Sequence, residues 1–133
     1  MQIYDKVWEI NSDIESNNWE VFLTFIRIKE DSWGSNGSNG GNVTLTLSNQ
    51  KLNGNIDVDS ISTLDMTLSN NLYYEGAINI NNTAQEITLK IDKNSKIKLT
   101  ADTYVTSLED EDTTYANIDF NGYKLYVNNK LVK

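Results

Sequence analysis

The chain has 133 residues, enough for one domain, and 38% of them are hydrophobic, which allows a thin core. Its formal net charge is −8, with 19 acidic and 11 basic residues, and this sign excludes binding of nucleic acid through its phosphates. The absence of Cys and His excludes disulfides, thiolate chemistry and the commonest general base and zinc ligand. The acidic composition leaves three classes of protein open: a soluble surface domain, a cation binder and a mimic of nucleic acid.

Residues 1–30 differ from the rest of the chain. The first apolar residues fit a helical stripe: Ile3, Val7 and Ile10. Residues 6–10 also fit a short strand, so both structures stay open there. Residues 19–28 favour a strand because β-branched and aromatic side chains alternate along them. We interpret residues 1–30 as an irregular N-terminal cap or an incomplete first coil, which covers the backbone that an end coil exposes.

No targeting or spanning segment is predicted. Residues 1–10 carry three charged side chains and lack the apolar centre of a signal peptide. No stretch approaches the length of a membrane span. Residues 29–42 are rich in Gly, Ser and Asn and predict a loop, without the Lys-Ser/Thr pair of a phosphate-binding loop.

Residues 43–101 repeat about every 22 residues. The segment VTLTLSN at 43–49 returns as LDMTLSN at 64–70 and, more loosely, as ITLKIDKN at 87–94. A second alternating run follows each copy, and Gly54 and Gly76 hold the same place in the first two runs. A period in the low twenties is typical of a β-solenoid.

Alternation assigns the two faces of these strands. The inner face is predicted to stack three apolar columns, headed by Val43, Leu45 and Leu47. Asn49 and Asn70 fall in register at the turn, where stacked Asn side chains are expected to hydrogen-bond along the solenoid axis. We expect this ladder to account for the many Asn residues of the chain.

After Ala101 the sequence repeat of about 22 residues becomes irregular. The acidic run at 109–112 could hold a hard cation such as Ca²⁺, but the spaced Asp pattern of a calcium loop is missing, and we predict a solvated loop. The last coil is predicted at 118–127, with a turn at Asn121-Gly122.

Four residues are candidates for a ligand-binding surface: Tyr74, Tyr104, Asp57 and Asp59. Tyrosines can stack on sugars, and Tyr73 and Tyr74 must face opposite sides of their strand. Asp57 and Asp59 share a face at roughly 6–7 Å, a separation that paired glycosidase carboxylates use. Solvated surface is the simpler interpretation of outward Asp residues. We predict no catalytic residue, no metal ligand and no cofactor.

Four stretches carry a resemblance to a known group: 32–42 (SWGSNGSNGGN), 54–62 (GNIDVDSIS), 74–79 (YEGAIN) and 104–123. Over residues 29–127 the chain resembles the C-terminal coils of bacterial right-handed parallel β-helix proteins, pectate-lyase-like and adhesin-like. The resemblance implies a secreted or surface β-helix that contacts carbohydrate. It transfers no catalytic residue, because the one Arg, Arg27, lies outside the repeats.

These observations predict an all-β fold, a right-handed parallel β-helix (β-solenoid) of about four coils over residues 31–133. The predicted function is a non-catalytic structural or adhesive module of a secreted or surface protein, with weak carbohydrate binding. Two alternatives stay open: an acidic inhibitor that mimics nucleic acid, and a Ca²⁺-dependent polysaccharide lyase. The expected partners are a glycan, another protein, or a second copy joined through the open ends of the solenoid, and no nucleic acid.

Overall fold

A computed structural model describes residues 2–3, 6–11, 20–28 and 42–132, the first three ranges as backbone only. These residues form strands and no helix. The strands are β1 (Gln2–Ile3), β2 (Lys6–Asn11), β3 (Glu20–Ile28), β4 (Asn42–Ser48), β5 (Lys51–Val58), β6 (Thr63–Ser69), β7 (Tyr73–Gly76), β8 (Glu86–Ile91), β9 (Lys96–Leu99), β10 (Thr103–Val105), β11 (Ser107–Asp110), β12 (Ile118–Asp119), β13 (Leu125–Val127) and β14 (Lys130–Leu131). In the described ranges, therefore, no helix could cross a membrane.

The strands stack into three sheets that form the sides of a coil. The first sheet has the order β1-β3-β5-β7-β9-β12, the second β2-β4-β6-β8-β11, and the third β10-β13-β14. Neighbouring strands are parallel, except that β14 returns antiparallel to β13. The predicted all-β solenoid of about four stacked coils is confirmed.

The register of the second sheet is the one that the repeat predicts. Val43 pairs with Leu64 and Leu64 with Ile87, and the two neighbouring columns follow the same offsets. These columns point inward and are buried, while the residues between them face out. Each coil thus buries a narrow apolar stripe against the coils above and below it.

The corners add a second reason for the Asn content beside the expected ladder. Among the described residues, nine that are not Gly have positive φ, and eight of them are Asn: Asn49, Asn70, Asn71, Asn79, Asn82, Asn121, Asn128 and Asn129. Asn tolerates this left-handed conformation better than other side chains do. Cross-coil bonds accompany it, since Asn70 Nδ2 donates to Ser48 Oγ at 3.0 Å.

Gly76 is fixed by close packing between two coils. A Cβ at Gly76 would lie 1.9 Å from the Gly54 carbonyl oxygen and 2.6 Å from the Tyr74 hydroxyl oxygen. That hydroxyl donates to the Gly54 carbonyl at 2.6 Å, so the three groups share one small space inside the first sheet. The repeated glycine of the sequence therefore marks a place where backbone and side chain meet too closely for any Cβ.

The solenoid continues past Ala101, where the sequence repeat becomes irregular. Strand β10 pairs with β13, and β11 pairs with β8. The acidic run begins inside β11, the edge strand of the second sheet, rather than in a loop. Its second member, Asp110, pairs with Ile91 at the end of an otherwise apolar column. The predicted turn at Asn121-Gly122 is confirmed.

At the N-terminus the strand interpretation is confirmed and the helical stripe is wrong. Strand β2 pairs parallel to β4, and β3 pairs parallel to β5 with one register shift. The predicted cap also includes residues 12–19, which lie outside the described residues. The predicted Gly-rich loop, residues 29–42, lies outside them as well except for Asn42, which begins β4.

Candidate ligand-binding surface

The third side of the solenoid carries a row of outward side chains, which we call the aromatic row: Tyr104, Tyr126 and Leu131. The three residues are paired in register across β10, β13 and β14. Their neighbours Thr103 and Leu125 are buried, so alternation turns the row outward. Leu131, at the end of the row, is 57% exposed.

Tyr104 and Tyr126 form a stacked pair. Their ring centroids lie 4.8 Å apart and the ring planes differ by 4°. This separation is that of adjacent strands, and it corresponds to the offset stacking that aromatic pairs prefer. Both tyrosines are only half-buried, so part of each side chain stays accessible. The row therefore offers a narrow, rigid, amphipathic edge.

Asp57 precedes the aromatic row on the same side of the solenoid. Ile56 bridges to Ile78, and the Asn79 N–H donates to the Ile56 carbonyl at 2.7 Å, which places Asp57 beside Asn79. The Tyr104 N–H donates to the Ile78 carbonyl at 3.1 Å, which places Tyr104 beside Asn79 as well. Asp57 and Tyr104 thus lie two coils apart, at about 10 Å.

Asn79 lies between Asp57 and Tyr104, but its side chain is buried and bonds to nearby backbone groups instead of facing out. It has φ of 56° and is buried, and its Oδ1 accepts the N–H groups of Thr83 and Ala84 at 2.9 and 3.2 Å. Its Nδ2 donates to the Tyr104 carbonyl at 3.2 Å. Asn79 therefore fixes both the backbone of Tyr104 and the root of the loop that follows.

Two of the four predicted site residues do not join this surface. Tyr74 is 0% exposed and fills the core, so its prediction as a surface residue is wrong. Aligning Gly54 with Gly76 places Tyr74 in the column of Leu52, a signal that could have shown this. Asp59 follows the end of β5, and its carboxylate accepts the Ile61 N–H at 3.2 Å, which makes it a turn residue.

Tyr73 and Tyr126 are also among the tyrosines that the sequence offers for stacking on sugars, and of these two only Tyr126 belongs to the aromatic row. A Tyr-Val pair at 104–105 returns at 126–127 and links Tyr126 to Tyr104 in the sequence. Tyr73 faces out of the first sheet beside the Glu75–Lys98 ion pair of 3.5 Å. Partial burial, and then the nearby Glu75 carboxylate, raise the pKa of Tyr73 above its usual value. It lines a shallow cleft of about 330 Å³ with Lys51 and Asn53.

A second surface feature is acidic. A groove of about 450 Å³ crosses the C-terminal end of the second sheet, and its charged lining consists of Lys90, Asp92, Glu109, Asp110 and Glu111. In the described part of the chain, no three carboxylates lie close enough together to hold a metal ion.

The carboxylates of Asp92 and Asp112, near this groove, both accept hydrogen bonds that lower their pKa. Burial raises the pKa of Asp92, but the bonds that it accepts from the Asn70 N–H and from Ser95 outweigh burial and hold the pKa below its usual value. The Thr114 hydroxyl and N–H lower the pKa of Asp112 in the same way. Both residues act as turn anchors.

Comparison of the chain with protein-family models, with curated proteins and with solved structures found no match.

Proposed function

We propose that this domain is a non-catalytic structural or adhesive module of a bacterial secreted or surface protein, which contacts carbohydrate weakly along the aromatic row. The observation that carries the proposal is the stacked Tyr104–Tyr126 pair on the outer face of the third side. The resemblance to exported bacterial β-helix proteins supports a bacterial origin and a place in a secreted or surface protein.

The aromatic row suits a sugar because both surfaces are amphipathic. The C–H face of a pyranose ring is apolar and its rim is hydroxylated, whereas tyrosine pairs an apolar ring with a hydroxyl group. The two tyrosines are half-buried rather than enclosed, so a ligand would keep much of its hydration and the affinity is expected to be low. The net charge of −8 favours neutral over acidic glycans.

A non-catalytic role fits the available side chains. The whole chain offers no His or Cys as base or nucleophile. Of the two carboxylates considered for a glycosidase pair, Asp59 accepts the Ile61 N–H and acts as a turn anchor.

Nothing in the described surface favours the two alternatives over this proposal. A mimic of nucleic acid needs carboxylates in succession along one face, but the outward column of the first sheet runs Asn53, Glu75, Lys98 and Asp119 and alternates in sign. A Ca²⁺-dependent lyase needs a metal held beside a proton acceptor, and no such pair is apparent among residues 42–132.

The test is binding to a glycan array, followed by calorimetric titration of the best neutral oligosaccharide. Tyr126→Ala should lower the affinity about fivefold or more, because it removes half of the stacked pair. Tyr73→Ala, which removes an outward tyrosine from another side, is the matched control and should bind as the native chain does.

Release of reducing ends from any polysaccharide by the native chain would overturn the non-catalytic assignment. Equal glycan binding by the native and Tyr126→Ala chains would overturn the aromatic row as the contact surface.

A further inference from the structure

The turn that follows β12 contains an Asn-Gly pair in an exposed setting. Asn121 and Gly122 are both exposed, and a Cβ placed at Gly122 would meet no atom within 4 Å. Both residues have positive φ, of 52° and 81°, which is typical of a type I′ turn. The Tyr123 N–H donates to the Phe120 carbonyl at 2.8 Å and closes the turn. The pair therefore lies at the tip of a tight turn that water can reach.

An Asn-Gly pair is the sequence in which the main chain attacks an asparagine side chain most readily. The nitrogen of the residue after Asn closes a five-membered ring on the side-chain carbonyl carbon, and glycine leaves that nitrogen unhindered because it has no Cβ. Among the described residues, nothing accepts a hydrogen bond from the Gly122 N–H. The attacking atom at this turn is therefore unhindered and unoccupied.

We propose that Asn121 is a site of spontaneous covalent modification, at which the chain converts asparagine to a mixture of aspartate and isoaspartate. The Gly122 nitrogen gives up its proton and bonds to Asn121 Cγ, and the Cγ–Nδ2 bond breaks and releases ammonia, which carries that proton away. Water then adds to one of the two carbonyl carbons of the ring and opens it. The reaction consumes one water, releases one ammonia and needs no oxidant or reductant.

The turn controls the rate of this reaction. Ring closure needs a backbone conformation at Asn121 other than the left-handed one, so the turn must open first. Besides the bond that closes the turn, two hydrogen bonds resist opening. The Asn121 N–H donates to Asp119 Oδ1 at 2.9 Å, and Asn121 Nδ2 donates to the Leu99 carbonyl at 3.1 Å. Because β12 is the edge of the first sheet, the turn can open without separating the strands of the middle coils.

The other Asn-Gly pair of the described residues, Asn53-Gly54, is protected. It lies inside β5, where Asn53 pairs with Phe22 on one side and with Glu75 on the other. The Gly54 carbonyl also accepts the Tyr74 hydroxyl at 2.6 Å. The same ring closure at Asn53 therefore requires the first sheet to separate, which costs far more free energy than the opening of one exposed turn.

The conversion of Asn121 weakens the contact between the last two coils. In either product a carboxylate replaces the amide, so this side chain no longer donates to the Leu99 carbonyl. Isoaspartate also lengthens the main chain of the turn by one carbon atom. Both products add one negative charge to the last coil. The site does not depend on the glycan proposal.

The test is peptide mapping of the whole folded chain during incubation in mildly alkaline buffer, where the Gly122 nitrogen loses its proton more readily. Cleavage after Lys and Arg places Asn53, Asn121 and the two pairs at 36–37 and 39–40 on three separate peptides. Mass spectrometry measures the fraction of each peptide that has gained the mass difference between Asn and Asp. In the folded chain Asn121 should convert about tenfold faster than Asn53 or more, whereas in urea the two should convert at similar rates.

Variants of the turn sharpen the test. Asp119→Ala removes the acceptor of the Asn121 N–H and should speed the conversion about fivefold, because one bond that holds the turn closed is lost. Asp119→Asn keeps an acceptor oxygen and should react at close to the native rate. Asp112→Ala removes a similar anchor from a neighbouring turn and is the matched control, whose rate should equal that of the native chain.

The consequence for stability has its own measurement. Asn121→Asp supplies the aspartate product directly, and its thermal midpoint should lie about 3 °C below that of the native chain. A folded chain in which Asn121 stays intact while the chain in urea converts would overturn the site. Equal rates at Asn121 and Asn53 in the folded chain, or an unchanged rate in Asp119→Ala, would overturn the control by the turn.

Discussion

The middle coils and the C-terminal coil share one backbone register but fill it with different side chains. In the middle coils, Leu47, Leu68 and Ile91 stack as one apolar column. In the last coil the same column ends in Asp110, which is tied to the buried Asn117. An interior coil is covered on both sides and can be uniformly apolar, whereas a terminal coil must both close the core and end the sheets.

The same contrast explains the acidic run. Strand β11 is the edge of the second sheet, and an unprotected edge invites pairing with another chain. Glu109 is exposed on that edge and Glu111 follows it. Like charges at an open edge discourage end-to-end stacking of two copies.

The largest expected difference between the two regions concerns their glycines. Gly76→Ala in a middle coil should destabilise the fold by about 3 kcal/mol or more, because its Cβ would overlap the Gly54 carbonyl. Gly122→Ala in the last coil has open space around it and should cost only about 1 kcal/mol, for its φ of 81°.

Urea unfolding followed by circular dichroism measures both glycine variants. Equal stability of the two would show that the close contact inside the first sheet does not exist. A Gly76→Ala chain that fails to fold, beside a folded Gly122→Ala chain, agrees with the expectation.

A smaller difference is expected along one apolar column, which contains Leu89 in a middle coil and Leu108 in the last coil. Leu89 is 2% exposed, whereas Leu108 is only partly buried. Leu89→Ala should therefore cost about 3 kcal/mol and Leu108→Ala about 1 kcal/mol in the free energy of unfolding. A Leu108→Ala chain as destabilised as Leu89→Ala would mean that another surface covers the terminal coil in solution.

The smallest effect concerns acid stability, and it compares two turn anchors. The pKa values of Asp92 and Asp112 lie below their usual range in the folded chain. Each carboxylate therefore adds stability above the pKa of the unfolded chain, about 3.9, and this stability is lost as the pH falls through the lower folded value.

Asp92 accepts an N–H from another coil, whereas the bonds to Asp112 stay within its own turn. Asp92→Asn should flatten the fall in thermal midpoint below about pH 4 more than Asp112→Asn does. Midpoints recorded between about pH 2 and pH 6 at constant ionic strength measure this. A steeper fall in Asp92→Asn than in the native chain would contradict the sign of the shift.

The sequence predicted the middle of the molecule well because its pattern is repeated there. The inward columns and the pairing of Val43 with Leu64 and Ile87 followed from the spacing and are confirmed. Predictions were weaker where the repeat is irregular. The offset between β8 and β11 is shorter than those before it, and the start of the acidic run, which lies in β11, was predicted as a loop. Tyr74 was assigned outward although the aligned glycines indicated the opposite.

By itself, the sequence determined the solenoid, because apolar residues at a constant period can be buried together only if successive turns of chain lie on one another. The tertiary structure decided the rest. Alternation separates the two faces of a strand without saying which is inner, so the outward place of Tyr104 beside Tyr126 needed the stacked coils. The pairing of Asp110 with Asn117 depends on how the last coil closes the core, which no period in the sequence encodes.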